Sequence, residues 1–166
     1  MTADNIRKAE ALTRIGLAVF PVLVTPDPDN PFKTRKRPTI PAAHEQGDPC
    51  KGECGKLGHG FYDATLDPFY AHDLFAKYPT AEVGVYMGKS GLVAADFDMK
   101  RTPEGEILVD GYENFLGEWL DLQETYSFDS ISGAGGKQYI YAAPEDVHLA
   151  RKSDYRKIAG LDRQAG

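Results

Sequence analysis

The residues best placed to do chemistry are two carboxylates at the end of an apolar run, Val93-Ala-Ala-Asp96-Phe97-Asp98. Alternate side chains of a strand share a face, so Asp96 and Asp98 stand roughly 7 Å apart at their Cα atoms and converge, while Phe97 faces the core. Hard oxygen ligands with open coordination positions suit Mg²⁺ or Mn²⁺, and two such ions about 4 Å apart stabilise the attacking and leaving oxygens of a phosphoryl displacement. The same spacing also fits two exposed carboxylates at a strand end. A second candidate is Ser132-Gly-Ala-Gly135-Gly136-Lys137-Gln138, whose glycines let backbone N–H groups approach an anion while Lys137 adds charge. Its spacing is not the Walker pattern, and a plain glycine hairpin explains it equally well. Asp162, in Leu161-Asp162-Arg163, offers a further carboxylate that could complete a metal site.

Both cysteines of the chain lie in one segment, His44 to His59, with the spacing H-x5-C-x3-C-x4-H. In a reducing compartment this favours metal ligation over a disulfide. His44, Cys50, Cys54 and His59 together satisfy tetrahedral Zn²⁺ and leave no open position, so the expected knuckle, about 44–59, is structural or contacts nucleic acid and does not catalyse. Its glycines at 52, 55, 58 and 60 permit the tight turns. Lys33, Arg35, Lys36 and Arg37 form the one dense basic cluster, read either as a solvated loop or as a contact for template or nucleotide phosphates. His72 and His148 read as incidental polar residues.

These groups need elements to position them. Ile6, Ala9, Leu12 and Ile15 recur at helical spacing and predict an amphipathic helix over 4–16. Residues 16–24 read as a strand, with Pro21 arguing for an edge. Residues 25–41 lose periodicity and read as a loop. A capped helix is expected over 67–78, with Leu66, Phe69, Tyr70, Leu74 and Phe75 buried. Residues 83–87 and 91–98 read as adjacent strands joined by a short turn at 88–90, followed by a polar loop. A further helix over 112–122 places Phe115, Leu116, Trp119, Leu120 and Leu122 largely on one side, and 127–131 and 137–141 read as a strand pair. Helices and strands alternate without βαβ rhythm, which implies an α+β fold with a mainly antiparallel sheet.

The chain has 166 residues, 42% apolar and 27% charged, the composition of one soluble globular domain. Nothing approaches the ~18 to 20 apolar residues of a membrane-spanning helix, and the amino terminus has no export segment, so a cytosolic location without membrane partners is expected. With 19 Lys plus Arg against 25 Asp plus Glu, the net charge of -6 excludes nucleic-acid binding driven by bulk charge. Any polynucleotide contact must be local.

The order of the motifs closely resembles the amino-terminal bifunctional primase-polymerase (prim-pol) domain of the archaeo-eukaryotic primase superfamily, found on replication proteins of phages and plasmids. The resemblance is carried by Gly16-Leu-Ala-Val-Phe-Pro21, Lys36-Arg-Pro38, Asp63-Ala-Thr65, 78–85, 88–98 and 132–141, and covers roughly residues 8–163. It implies a core related to the RNA-recognition-type fold, and synthesis and extension of primers on a DNA template from dNTPs or NTPs. It also implies that Asp96, Asp98 and Asp162 hold Mg²⁺ or Mn²⁺, and that Ser132, Gly135, Gly136, Lys137, Gln138, Lys36 and Arg163 contact the nucleotide. The family usually shows Gly-Gly-x-His where this chain reads Gly135-Gly-Lys-Gln138, so an amide stands in the phosphate-binding position. The Cys/His insertion resembles that of some actinobacteriophage members. Such domains usually precede a helicase, so a longer primase-helicase polypeptide is expected. Two other readings compete: a non-catalytic zinc-containing DNA-binding or origin-recognition module, and a phosphohydrolase of the haloacid dehalogenase type, whose Asp-x-Asp is normally followed by Thr or Val where Met99 stands here.

Overall fold

The first helix ends where its sequence dictates. In the computed structural model, which describes residues 2–118, 122–144 and 161–164, α1 spans Thr2–Arg14. Gly16 adopts φ +85° just beyond it, where Gly16 N–H donates to Thr13 O and Leu17 N–H to Leu12 O. This pair of bonds is a Schellman closure, which satisfies the last carbonyls of the helix and needs a left-handed residue at the glycine position. Ile15 therefore falls outside the helix and is 72% exposed, contrary to the periodic reading.

Strands β1 (Val19–Asp27), β2 (Asn30–Pro38) and β3 (Glu82–Val85) form a sheet in the order β2-β1-β3. Pro21 thus lies in a central strand and not at an edge. It sits opposite Val83 in the antiparallel register of β1 with β3. Val19 N–H, two residues earlier, donates away from β3 to Thr65 O. By alternation the nitrogen of Pro21 points the same way, so its missing donor removes no bond to β3. The basic cluster is also not in a loop: it lies on β2, entered through a turn in which Asn30 Oδ1 accepts from Phe32 N–H. β2 is an outer strand with mostly exposed residues, so it never develops the apolar alternation by which strands are recognised.

Helix α2 (Pro68–Lys77) is capped by Asp67, whose carboxylate accepts from Phe69 N–H and Tyr70 N–H. Ala71, Leu74 and Phe75 are its buried residues. Phe69 is 82% exposed, and Leu66 and Tyr70 are exposed as well, because Ala71 occupies the centre of the inward stripe. Ala9 of α1 and Ala71, both fully buried, join Val19, Phe75 and Ala81 in one core, with Ile6, Leu12, Tyr78, Val83 and Val85 packed around it. Small residues at these positions let helices approach closely.

The chain divides into two compact units, Met1–Thr25 with Arg35–Ser90, and Pro26–Thr34 with Gly91–Gly166. In the second, β4 (Leu92–Phe97), β7 (Tyr126–Asp129), β8 (Lys137–Ala142) and β9 (Leu161–Gln164) form a four-stranded sheet in the order β7-β8-β4-β9. Every pairing in it is antiparallel. β3 and β4, adjacent in sequence, lie in different sheets and do not pair. The 3-10 turn Gly88–Ser90 separates them, and Ser90 Oγ accepts from Ala18 N–H and donates to Tyr86 O. The expected polar loop after Asp98 is instead a hairpin of β5 (Met99–Arg101) and β6 (Ile107–Asp110).

Helix α3 (Gly111–Glu118) starts at Asp110, which accepts from Tyr112 N–H and Glu113 N–H. Phe97, 1% exposed, is the centre of this unit's core, packed by Ala95, Tyr112, Phe115, Leu122 and Tyr139. Leu116 is 41% exposed and not part of it. Trp119, Leu120 and His148 lie outside the described residues. The fold is α+β with antiparallel sheets, and no helix among the described residues is long and apolar enough to cross a membrane.

Candidate active site and metal centre

Strand register brings two of the three predicted acidic residues, Asp96 and Asp162, together. Asp96 lies directly opposite Asp162 of β9 and directly opposite Gln138 of β8. Opposed residues of antiparallel strands project to the same face, with Cα atoms about 4.5–5.5 Å apart. Gln138, Asp96 and Asp162 therefore form one row across three strands, all half-buried. The opposite face carries Ala95, Phe97 and Tyr139 and is covered by residues of α3. Burial, with the neighbouring Tyr112 hydroxyl, pushes the Tyr139 phenol above its ordinary range, and burial does the same for Tyr141.

Asp98 lies one residue past the end of β4, at the junction with β5. Its carbonyl accepts from Gly111 N–H, which ties it to the start of α3. Arg163 is the register partner of Ala95, so it alternates to the face opposite Asp162. Lys137 pairs in register with Phe97 and is exposed. Lys36 belongs to the first unit, on β2.

The glycine-rich loop is built against the strand that carries the carboxylates. A Cβ on Gly136 would lie 2.8 Å from Phe97 O and 3.2 Å from Met99 N, so only glycine permits this approach. Gly135 has φ +104°, and a Cβ there would meet Met99 Sδ. Ser130 N–H donates to Gly136 O, Gly133 N–H to Ser130 O, and Ala134 N–H to Ser132 Oγ. Arg101 anchors the loop: its Nε donates to Ala134 O, its Nη1 donates to Gly105 O, and its guanidinium lies 5.8 Å over the Phe32 ring.

The Cys/His segment closes into a cluster in the first unit. One ligand atom from each of His44, Cys50, Cys54 and His59 lies within 4.8 Å of all the others. Cys54 Sγ is 3.3 Å from His44 Nε2 and 3.5 Å from His59 Nε2. Bonds of about 2.3 Å to sulfur and 2.0–2.1 Å to nitrogen at a tetrahedral angle give an S···N edge of roughly 3.6 Å, so the group can bind zinc.

Two carboxylates missed in the sequence support these ligands. Asp63 Oδ2 accepts from Gly58 N–H and His59 N–H. Its Oδ1 stands 3.5 Å from His59 Nδ1, a buried atom with no hydrogen bond. Asp48 Oδ1 accepts from Cys50 N–H, and Oδ2 lies 3.8 Å from His44 Nδ1. Both imidazoles thus turn Nε2 inward and Nδ1 toward a carboxylate, the usual outer-shell arrangement of metal-bound histidine. Asp48 is four residues after His44 and Asp63 four after His59; this repeated H-x3-D spacing is the signal that could have found them. Gly58, at φ +116°, is required because a Cβ would overlap Pro41 O and Ala43 N.

No curated protein and no solved structure matches the chain. Residues 8–164 match the family described as bifunctional DNA primase/polymerase, N-terminal. The match takes in both the acidic row and the Cys/His cluster. A primase/polymerase-type function in replication follows at the family level, and the chain belongs to the bifunctional DNA primase/polymerase N-terminal family.

Proposed function

We propose that this chain is a template-directed nucleotidyltransferase that makes and extends primers on DNA from nucleoside triphosphates. The observation that carries the reading is the row Gln138–Asp96–Asp162, in a member of this family, with Asp98 two residues further along. Three carboxylates drawn from two neighbouring strands and a strand end offer only hard oxygen donors, which fits Mg²⁺ or Mn²⁺. Held there, such ions neutralise charge on the triphosphate and lower the pKa of the primer 3′-hydroxyl. Asp96 and Asp162, on a rigid sheet, hold the reacting groups in register. Gln138 donates its amide N–H to a phosphate oxygen, in place of a charged donor. Ser132 contacts the phosphates from the loop, whereas Lys137 and Arg163 alternate to the opposite face of the sheet from the acidic row. His44, Cys50, Cys54 and His59 hold a structural Zn²⁺.

The test is extension of a labelled primer on a DNA template with dNTPs and Mg²⁺ or Mn²⁺. Asp96→Asn is expected to lower the rate about 100-fold or more, equivalent to roughly 2.7 kcal/mol of transition-state stabilisation, with the far-UV CD spectrum unchanged. Full activity in that variant would remove Asp96 from the mechanism. Absence of extension by the wild type in both metals would favour the non-catalytic zinc-bearing DNA-binding module.

A further inference from the structure

Strand β7 presents its apolar side chains on the face that the core does not use. Tyr126 pairs with Ile140 and Phe128 with Gln138, and Gln138 faces Asp96 across β4. Directly opposed and alternate residues share a face, so Tyr126 and Phe128 stand on the face of Asp96 and Asp162. Strands lie about 4.8 Å apart, which sets Phe128 roughly 10 Å from Asp96 along one row. The polar residues Ser127 and Asp129 alternate to the face occupied by Phe97 and Tyr139. A strand serving only to cover a core would show the opposite pattern.

The two rings are accessible: Tyr126 is 75% exposed and Phe128 41%. Their centroids are 6.4 Å apart with planes inclined at 50°. They are the two aromatic residues of an outer strand, on the face that also carries the metal-type carboxylates. A net charge of -6 gives a nucleic-acid strand little general attraction. Stacking of bases on aromatic rings does not depend on net charge and tolerates any base sequence, because every base has a π-face.

We propose that Tyr126 and Phe128 stack unpaired bases of a DNA strand that runs across this face toward Asp96. The proposal rests on the nucleotidyl-transfer reading of that face. It assigns the rings to single-stranded DNA and not to a protein partner.

The test uses the full chain and fluorescence anisotropy of a labelled oligothymidylate beside an abasic oligonucleotide with the same phosphates. Tyr126→Leu/Phe128→Leu keeps apolar, strand-compatible side chains without the rings, and its CD spectrum and thermal midpoint report that it folds. The expected result is affinity at least tenfold weaker in this variant, from a stacking contribution of about 1–3 kcal/mol per base. Its preference for intact over abasic strand should also vanish, with an unchanged slope of log Kd against log salt, since phosphate contacts persist. Tyr126→Phe/Phe128→Tyr should bind like the wild type. Affinity of the Leu variant within twofold of wild type overturns the proposal, as does a wild type that binds both oligonucleotides equally. Loss only of concentration-dependent self-association also overturns it, and would make β7 a chain-to-chain edge. Primer extension by the wild type, measured in parallel, separates the two readings. Extension with unaltered binding by the Leu variant removes the stacking role alone, whereas ring-dependent binding without extension removes nucleotidyl transfer and leaves the stacking role standing.

Discussion

Glycines 133, 135 and 136 belong to one loop but answer to different constraints, and single substitutions separate them. Gly136→Ala would push a methyl to 2.8 Å from Phe97 O, a backbone atom that cannot move without disturbing β4. A loss of about 1–3 kcal/mol is expected, read as a lower thermal midpoint. At Gly133 the only obstacle is φ +70°, with nothing within 4 Å of the added atom, so Gly133→Ala should cost about 1–2 kcal/mol from backbone strain alone. A Gly136→Ala midpoint equal to that of the wild type would contradict the close approach of loop and strand. Asp63 is the other residue whose environment makes a sharp prediction. Asp63→Asn leaves an oxygen for Gly58 N–H and His59 N–H but removes the charge beside His59 Nδ1. Zinc affinity, measured by competition with a chromophoric chelator, should fall about 10- to 100-fold. Unchanged affinity would make Asp63 a loop cap with no part in orienting the histidine.

At the scale of elements, helix α2 is held by a short inward stripe and not by its whole apolar content. Phe75 is 1% exposed and Phe69 82%, so the two phenylalanines should behave oppositely. Phe75→Ala is expected to cost about 3–5 kcal/mol, and Phe69→Ala to stay within about 0.5 kcal/mol, by urea denaturation. The β8 strand makes a pH prediction. Tyr139 loses water on folding and lies beside Tyr112, which raises its phenol pKa above the ordinary value of about 10. A neutral acid with a raised folded pKa gives stability that is full below the unfolded pKa and is lost as pH rises through the folded one. The thermal midpoint should therefore fall at pH above about 10, and Tyr139→Phe should flatten that fall. A wild-type midpoint constant through this range would contradict the upward shift of the Tyr139 phenol.

At the scale of the whole molecule, two units with separate cores carry the two candidate sites. The first holds the Cys/His cluster and the second the acidic row. Metal binding to a loop with few apolar contacts is folding free energy for that loop. Removing zinc with a strong chelator should therefore raise amide hydrogen exchange across 44–63 while protection of β4 and β8 stays within twofold. Uniform deprotection of both units would contradict this division. The match over residues 8–164 spans both units of this chain.

Local chemistry was legible in the order of residues alone. The Cys/His spacing, the strands flanking the glycine loop and the antiparallel character all follow from short-range rules of ligand geometry, alternation and turn formation. Pro21 in a central strand, β2 beneath its charges and the separation of β3 from β4 do not, because each depends on which strand lies alongside, a choice made by long-range pairing. Phe69 was misplaced for a related reason: helical periodicity offers several apolar stripes, and the position of α1 selects the one centred on Ala71. Asp162 shows the division most clearly. By sequence it was an isolated carboxylate 66 residues from Asp96, given meaning only by resemblance. The register of β9 on β4 made it the direct neighbour of Asp96, because antiparallel pairing projects opposed side chains to one face however far apart they lie along the chain.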